Sequence, residues 1–94
     1  MKQPAIYILS NESNTVIYIG VTSNLIQRIY QHKQKLGKGF SKRYNLGKLV
    51  YFELYDIDSA IYREKRLKRW QRSWKERLIK KVNPEWKDLY QDLL

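Results

Sequence analysis

The sequence predicts an α+β fold of three strands and four helical segments. Two observations predict the strands: apolar residues alternate with period two on both sides of the polar turn Asn11 to Asn14, and again from Lys48 to Tyr55. The third observation predicts the helices, because apolar residues recur at helical spacing after cap-forming residues at Thr22-Ser23-Asn24, at Asp56 or Asp58, at Ser73 and at Asn83.

The first two strands carry Ala5-Ile6-Tyr7 and Tyr18-Ile19-Gly20. An even-numbered loop centred on Glu12 and Ser13 sets Tyr7 opposite Tyr18 and Ala5 opposite Gly20. One face then holds Ile6, Ile8, Ile17 and Ile19 and reads as core. The other holds both tyrosines beside the Ala5/Gly20 gap and reads as a shallow floor. A three-residue loop sets a tyrosine against the isoleucine face, which the apolar pattern disfavours.

Leu25 to Lys35 reads as a helix with Leu25, Ile29 and Leu36 on one stripe, Ile26 at its edge, and Arg28 and His32 together on one flank. A glycine-punctuated basic loop follows, Gly37 to Asn45, with Phe40 and Tyr44 among its lysines and Arg43. Lys48 to Tyr55 alternates Val50, Phe52 and Leu54 against Leu49, Tyr51 and Glu53, the third strand. Ser59 to about Gln71 is the next helix; Ser73-Trp74-Lys75-Glu76 has the form of a capping box and predicts a break near Arg72 with a new helix to Lys81. Asn83-Pro84 pairs an N-cap residue with proline at a first helical position, so a short closing helix is predicted from Pro84 to about Leu93, docking through Trp86, Leu89 and Leu93.

Ninety-four residues fit one domain over 1–94. The absence of cysteine excludes disulfides and thiolate metal sites and suits a cytoplasmic location. The apolar run after Pro4 is too short for a signal-peptide core or a membrane span. Nineteen Lys and Arg against nine Asp and Glu leave a charge of +10, which points to a polyanionic partner, nucleic acid before anionic lipid.

One carboxylate stands out. Helical projection sets Ile57, Ala60, Ile61, Glu64 and Leu67 on a single stripe, while Arg63, Lys65, Arg66, Lys68, Arg69 and Arg72 surround it, so the inward residue is the acid. A carboxylate so placed needs a partner. Either it pairs with Arg28 or a neighbouring lysine, or it ligates a divalent cation. A single carboxylate suits Mg2+ or Mn2+, which keeps waters and takes further ligands from substrate phosphate, far better than zinc. Arg28 then offers a fork of donors to that phosphate, and a tyrosine can orient or deprotonate water if positive charge lowers its ordinary value of about 10. Singly, each residue has a plainer reading: Tyr7 and Tyr18 as packing tyrosines, His32 as a core-edge histidine, Arg28 as a solvated arginine, Asn83 as a cap.

The ordered set resembles the GIY-YIG nuclease superfamily over nearly the whole chain. It comprises the two tyrosine segments, Tyr18-Ile19-Gly20-Val21-Thr22-Ser23-Asn24-Leu25, Arg28 and His32, Arg63-Glu64-Lys65 with Leu67-Lys68, and Asn83-Pro84-Glu85-Trp86-Lys87-Asp88-Leu89. The segments are similar to those of small single-domain bacterial members and of the nuclease domain of the excision-repair C subunit. Ala5 stands where the motif name has glycine, and Val21 where the excision-repair relatives have lysine. The resemblance implies a three-stranded antiparallel sheet flanked by helices and metal-dependent hydrolysis of DNA phosphodiesters. By motif position it implies paired active-site tyrosines at Tyr7 and Tyr18, a phosphate-binding Arg28, a metal ligand at Glu64 and an active-site histidine at His32. Gly20 and Asn83 are then supporting residues.

The expected function is therefore a DNA endonuclease using one Mg2+ or Mn2+, with Lys38, Lys42, Arg43, Arg63 and Lys68 contacting nucleic acid. So short a chain is expected either to cut with little sequence specificity or to be guided by a protein partner or a homodimer. Two rivals stand beside this reading, the first sharing the charge, the Lys38 to Tyr44 loop and the aromatics but giving no need for an inward Glu64. One is a nucleic-acid-binding module of the same fold with little or no turnover; the other is an interaction domain whose interface is a cluster of Trp70, Trp74 and Trp86, residues that also serve as core and docking positions.

Overall fold

The computed structural model describes residues 2–34 and 43–94. Its N-terminal strand β1 (Ala5–Ser10) is antiparallel to both β2 (Ile17–Thr22) and β3 (Lys48–Leu54), in the order β2-β1-β3. A central strand covered on both sides has no solvent face, and every residue of β1 is buried. The face carrying Ile6, Ile8 and Ile19 packs with Val50 and Tyr51 against Ala60, Leu67, Ile79 and Trp86. The opposite face, expected to be a floor, is a second core in which Ala5, Tyr7 and Leu9 meet Leu25, Ile29, Leu46 and Leu49. Tyr7 itself is 1% exposed.

The hairpin register differs from the expected one. Tyr7 faces Gly20, Tyr18 faces Leu9, and Ala5 faces Thr22. The turn sets this: Asn11 Oδ1 accepts from the backbone N–H of Thr15 and Val16 at 2.9 and 3.1 Å, and Asn14 takes a left-handed φ of 59°. The loop therefore closes later than a turn centred on Glu12 and Ser13. Because the displacement is even, the tyrosines stay on one face. In β3 a bulge beside Ile8/Leu9 breaks the alternation, so that Val50 and Tyr51 both join the isoleucine face while Leu49 joins the other.

α1 (Leu25–Lys33) starts at Asn24, whose side chain accepts from Gln27 N–H; the predicted Leu36 lies outside the described residues. α2 (Ile57–Lys68) begins at Asp56, whose carboxylate accepts from Ser59 N–H at 2.9 Å. Ala60 and Leu67 face the core, but Ile57 and Ile61, assigned to the same stripe, are 39% and 38% exposed. α3 (Arg72–Val82) follows the expected break, although the capping box does not form. Gln71 is the N-cap without a side-chain bond, and Glu76 instead receives Arg72 Nε at 2.8 Å.

No α-helix follows Pro84. Asn83 Oδ1 accepts from Lys87 N–H at 3.0 Å, and its amide nitrogen donates to the carbonyls of Lys87 and Val50 at 2.8 and 3.0 Å. This clamp closes a loop with Trp86 at φ 54°, and only a 3-10 turn, Tyr90–Leu93, comes after it. The segment docks on β3, Leu89 N–H donating to Leu49 O at 2.7 Å and Asp88 Oδ1 accepting from Leu49 N–H at 3.2 Å. The tryptophans do not form one exposed cluster: Trp86 is in the core, whereas Trp70 and Trp74 meet edge to face at 6.0 Å. No helix among the described residues is long and apolar enough to cross a membrane.

Candidate active site

The site begins at the close approach of Tyr7 to Gly20. A Cβ at Gly20 would fall 2.4 Å from Cζ and the hydroxyl of Tyr7, so only glycine leaves room for the ring on this cross-strand position. The ring reaches across β2 toward α1, and its hydroxyl meets His32 Nε2 at 3.1 Å. Tyr18, two residues before Gly20 on the same face, stands at the rim. The three rings form a triangle, with centroids 6.4 Å apart for Tyr7 and Tyr18, 5.6 Å for Tyr7 and His32, and 6.2 Å for Tyr18 and His32.

Arg28, one helical turn before His32 on α1, brings its guanidinium to the Tyr7 hydroxyl. Burial and the neighbouring Tyr18 push the Tyr7 phenol up to about 12, against the opposing pull of Arg28. Without further positive charge it remains a neutral hydrogen-bonding group at neutral pH. Burial, and then Arg28, hold His32 below its ordinary value, so its imidazole is neutral there too. The pair is a phenol beside a neutral imidazole, an arrangement able to pass a proton from oxygen to nitrogen.

Glu64 approaches from α2 on the other side of the rim. Its side chain is 14% exposed and pairs with Lys68 Nζ at 2.9 Å, while Lys68 lies 5.8 Å from the centre of the Tyr18 ring. Its negative charge reaches Tyr7 as well, adding to the rise of the phenol. Among the described residues no group of three His, Cys, Asp or Glu side chains converges as a metal cage. One half-buried carboxylate beside an open rim suits Mg2+ or Mn2+ that keeps several waters, and it does not suit a closed zinc site.

Tyr7, Tyr18, Gly20, Arg28, His32, Glu64 and Lys68 thus lie around one site built from β1, β2, α1 and α2. Asn83 lies apart, buried between β3 and the Lys87 backbone. Arg63 is engaged elsewhere: its guanidinium donates to Glu53 at 2.9 and 3.2 Å and sits 5.2 Å over the Trp70 ring. Arg43 is exposed, stacked 5.6 Å from the Tyr44 ring centre, and Lys38 and Lys42 fall outside the described residues.

Sequence reasoning missed Glu53, which accepts from the Tyr51 and Tyr55 hydroxyls as well as from Arg63. Alternation marked it only as one face of a strand. It also missed Lys75, which joins Lys68 beside Tyr18 across the α2–α3 break, a proximity with no local signal.

A family model described as the GIY-YIG catalytic domain matches residues 3–77, a span that takes in all the rim residues named above. The chain is 40% identical over 78 residues to a protein of Autographa californica nuclear polyhedrosis virus called the UPF0213 protein in the VLF1-GP41 intergenic region, covering 80% of this chain and 74% of that one. It is 36% identical over 76 residues to a UPF0213 protein of Pediococcus pentosaceus, covering 80% and 79%. No solved structure matches the chain.

Proposed function

The chain belongs to the GIY-YIG family, and from that premise we propose that it is a metal-dependent DNA endonuclease hydrolysing a phosphodiester over the Tyr7/Tyr18 rim. The observation that carries this reading is the hydrogen bond of the Tyr7 hydroxyl to His32 Nε2 at 3.1 Å, with Arg28 on the same hydroxyl and Glu64 across the rim.

Arg28 binds a non-bridging oxygen of the phosphate and holds phosphorus above the tyrosines. A phenol at about 12 is too weakly acidic to stand as a phenolate at pH 7, so the proton of the attacking water passes to the Tyr7 oxygen while the phenolic proton moves to His32 Nε2. In this step the imidazole carries its own proton on Nδ1. The water oxygen bonds to phosphorus, the bond to the departing sugar oxygen breaks, and that oxygen takes a proton from solvent. Tyr18 lines the rim and orients the water. Glu64 would hold Mg2+ or Mn2+, which when bound neutralises charge on the phosphoryl group and the leaving oxygen. The charge of +10 supplies affinity for the DNA backbone.

The test is incubation with supercoiled and linear DNA, with Mg2+, with Mn2+ and with EDTA. Cleavage is expected only with metal. It should be lost in Glu64→Gln and fall by about 10²- to 10⁴-fold in Tyr7→Phe, with DNA binding kept in both. Full cleavage by Glu64→Gln refutes the assignment, and salt-dependent binding without cleavage under any condition returns the reading to a binding module.

A further inference from the structure

Beside the catalytic rim, on the flank of the edge strand β2, a cleft of about 310 Å³ is lined by Ile17, Tyr18, Ile19, Lys68 and Lys75. It shares Tyr18 with the rim, so a strand of nucleic acid crossing the tyrosines continues into it. Its two cations come from either side of the break between α2 and α3. We propose that Lys68 and Lys75 form a second phosphate site here, taking the backbone phosphate next to the one held by Arg28; the proposal rests on the nuclease reading above.

The arrangement is electrostatically open. Lys68 shares its ammonium with Glu64, and Lys75 pairs with no carboxylate among the described residues, its contact being the Lys68 carbonyl at 3.5 Å. Arg72 stands nearby in the first turn of α3, with its donors engaged by Glu76 and by the carbonyls of Asn14 and Thr15. That first turn holds no acid, and its N-cap makes no side-chain bond, so the positive end of the helix adds to the same charge. Burial first, and then the like charges of Arg72 and Lys68, hold the Lys75 ammonium below the ordinary lysine range, so part of that shift comes from crowding by neighbouring cations. An anion between Lys68 and Lys75 relieves that crowding. A phosphodiester is the fitting anion because the cleft's remaining walls, two isoleucines and a tyrosine ring, suit the sugar attached to it.

Equilibrium binding of a fluorescent duplex, followed by anisotropy in EDTA from about 50 to 200 mM salt, tests this. Lys75→Ala should weaken binding about 5- to 10-fold and reduce the slope of log affinity against log salt by about 1, while Lys75→Arg restores both. Lys80→Ala removes the same charge from an exposed position of α3 and should change both much less. Circular dichroism melting of each variant confirms that folded protein is compared. If Lys75→Ala matches Lys80→Ala while the wild type still cleaves, the second site is refuted and the nuclease reading stands. If Lys75→Ala loses the slope while Glu64→Gln still cleaves, the site stands and the catalytic reading fails.

Discussion

The ring of Tyr7 lies against Gly20, so close that a single added carbon would sit 2.4 Å from its hydroxyl oxygen. The glycine of the second motif thus makes the space into which the first motif's tyrosine fits, and the contact sets where that hydroxyl meets His32.

Gly20→Ala should therefore displace the Tyr7 ring. The backbone at Gly20 needs no positive φ, so the whole effect is steric. Overpacking of this kind costs about 1–3 kcal/mol, measurable by urea denaturation. Cleavage by the folded variant should fall further than stability does, because the hydroxyl moves off Nε2. A variant with wild-type cleavage would separate Tyr7 from the chemistry.

His32 gives the protein a pH dependence of definite sign. Its folded value lies below the ordinary one of about 6.5, so between the two the unfolded chain binds more protons. The stability this group contributes is complete above about pH 6.5 and is lost as pH falls through the folded value. Melting temperature should decline over that acidic range, and His32→Gln should flatten that decline. Cleavage should decline with it, since a protonated imidazole cannot accept the Tyr7 proton.

The Glu53 cluster is expected to stabilise the fold. Burial pushes its carboxyl up, but the Arg63 guanidinium and then the Tyr51 and Tyr55 hydroxyls outweigh this and hold it below the usual range. Arg63→Ala leaves a half-buried carboxylate with two phenols and should cost about 1–3 kcal/mol. Its effect on DNA affinity should be smaller than that of Lys75→Ala. A larger effect would place Arg63 in the nucleic-acid interface.

Asn83→Ala removes three hydrogen bonds from a buried amide and frees the loop that holds Trp86 at φ 54°. About 2–3 kcal/mol of destabilisation is expected from the groups left unpaired. Cleavage per folded molecule should be unchanged, since the side chain lies away from the tyrosines.

By itself the sequence determined the three strands and the first three helices, the shared face of Tyr7 and Tyr18, the flank joining Arg28 to His32 and the inward lean of Glu64, because all of these follow from local period and spacing. It also placed the helix break near Arg72. The register was beyond it, since the side chain of Asn11 and the left-handed Asn14 decide where the turn closes, and no alternation pattern records that. Nor did it reveal that the tyrosine face is a core: α1 covers it, and coverage comes from an element distant in the chain. Pro84 looked like a helix start, yet Asn83 bonds across the loop and to Val50, and those long-range partners override the local preference. Only the tertiary structure put Lys68 and Lys75 on either side of one cleft and settled that Tyr7 lies over Gly20, because both depend on how separate elements pack, which short-range spacing does not encode.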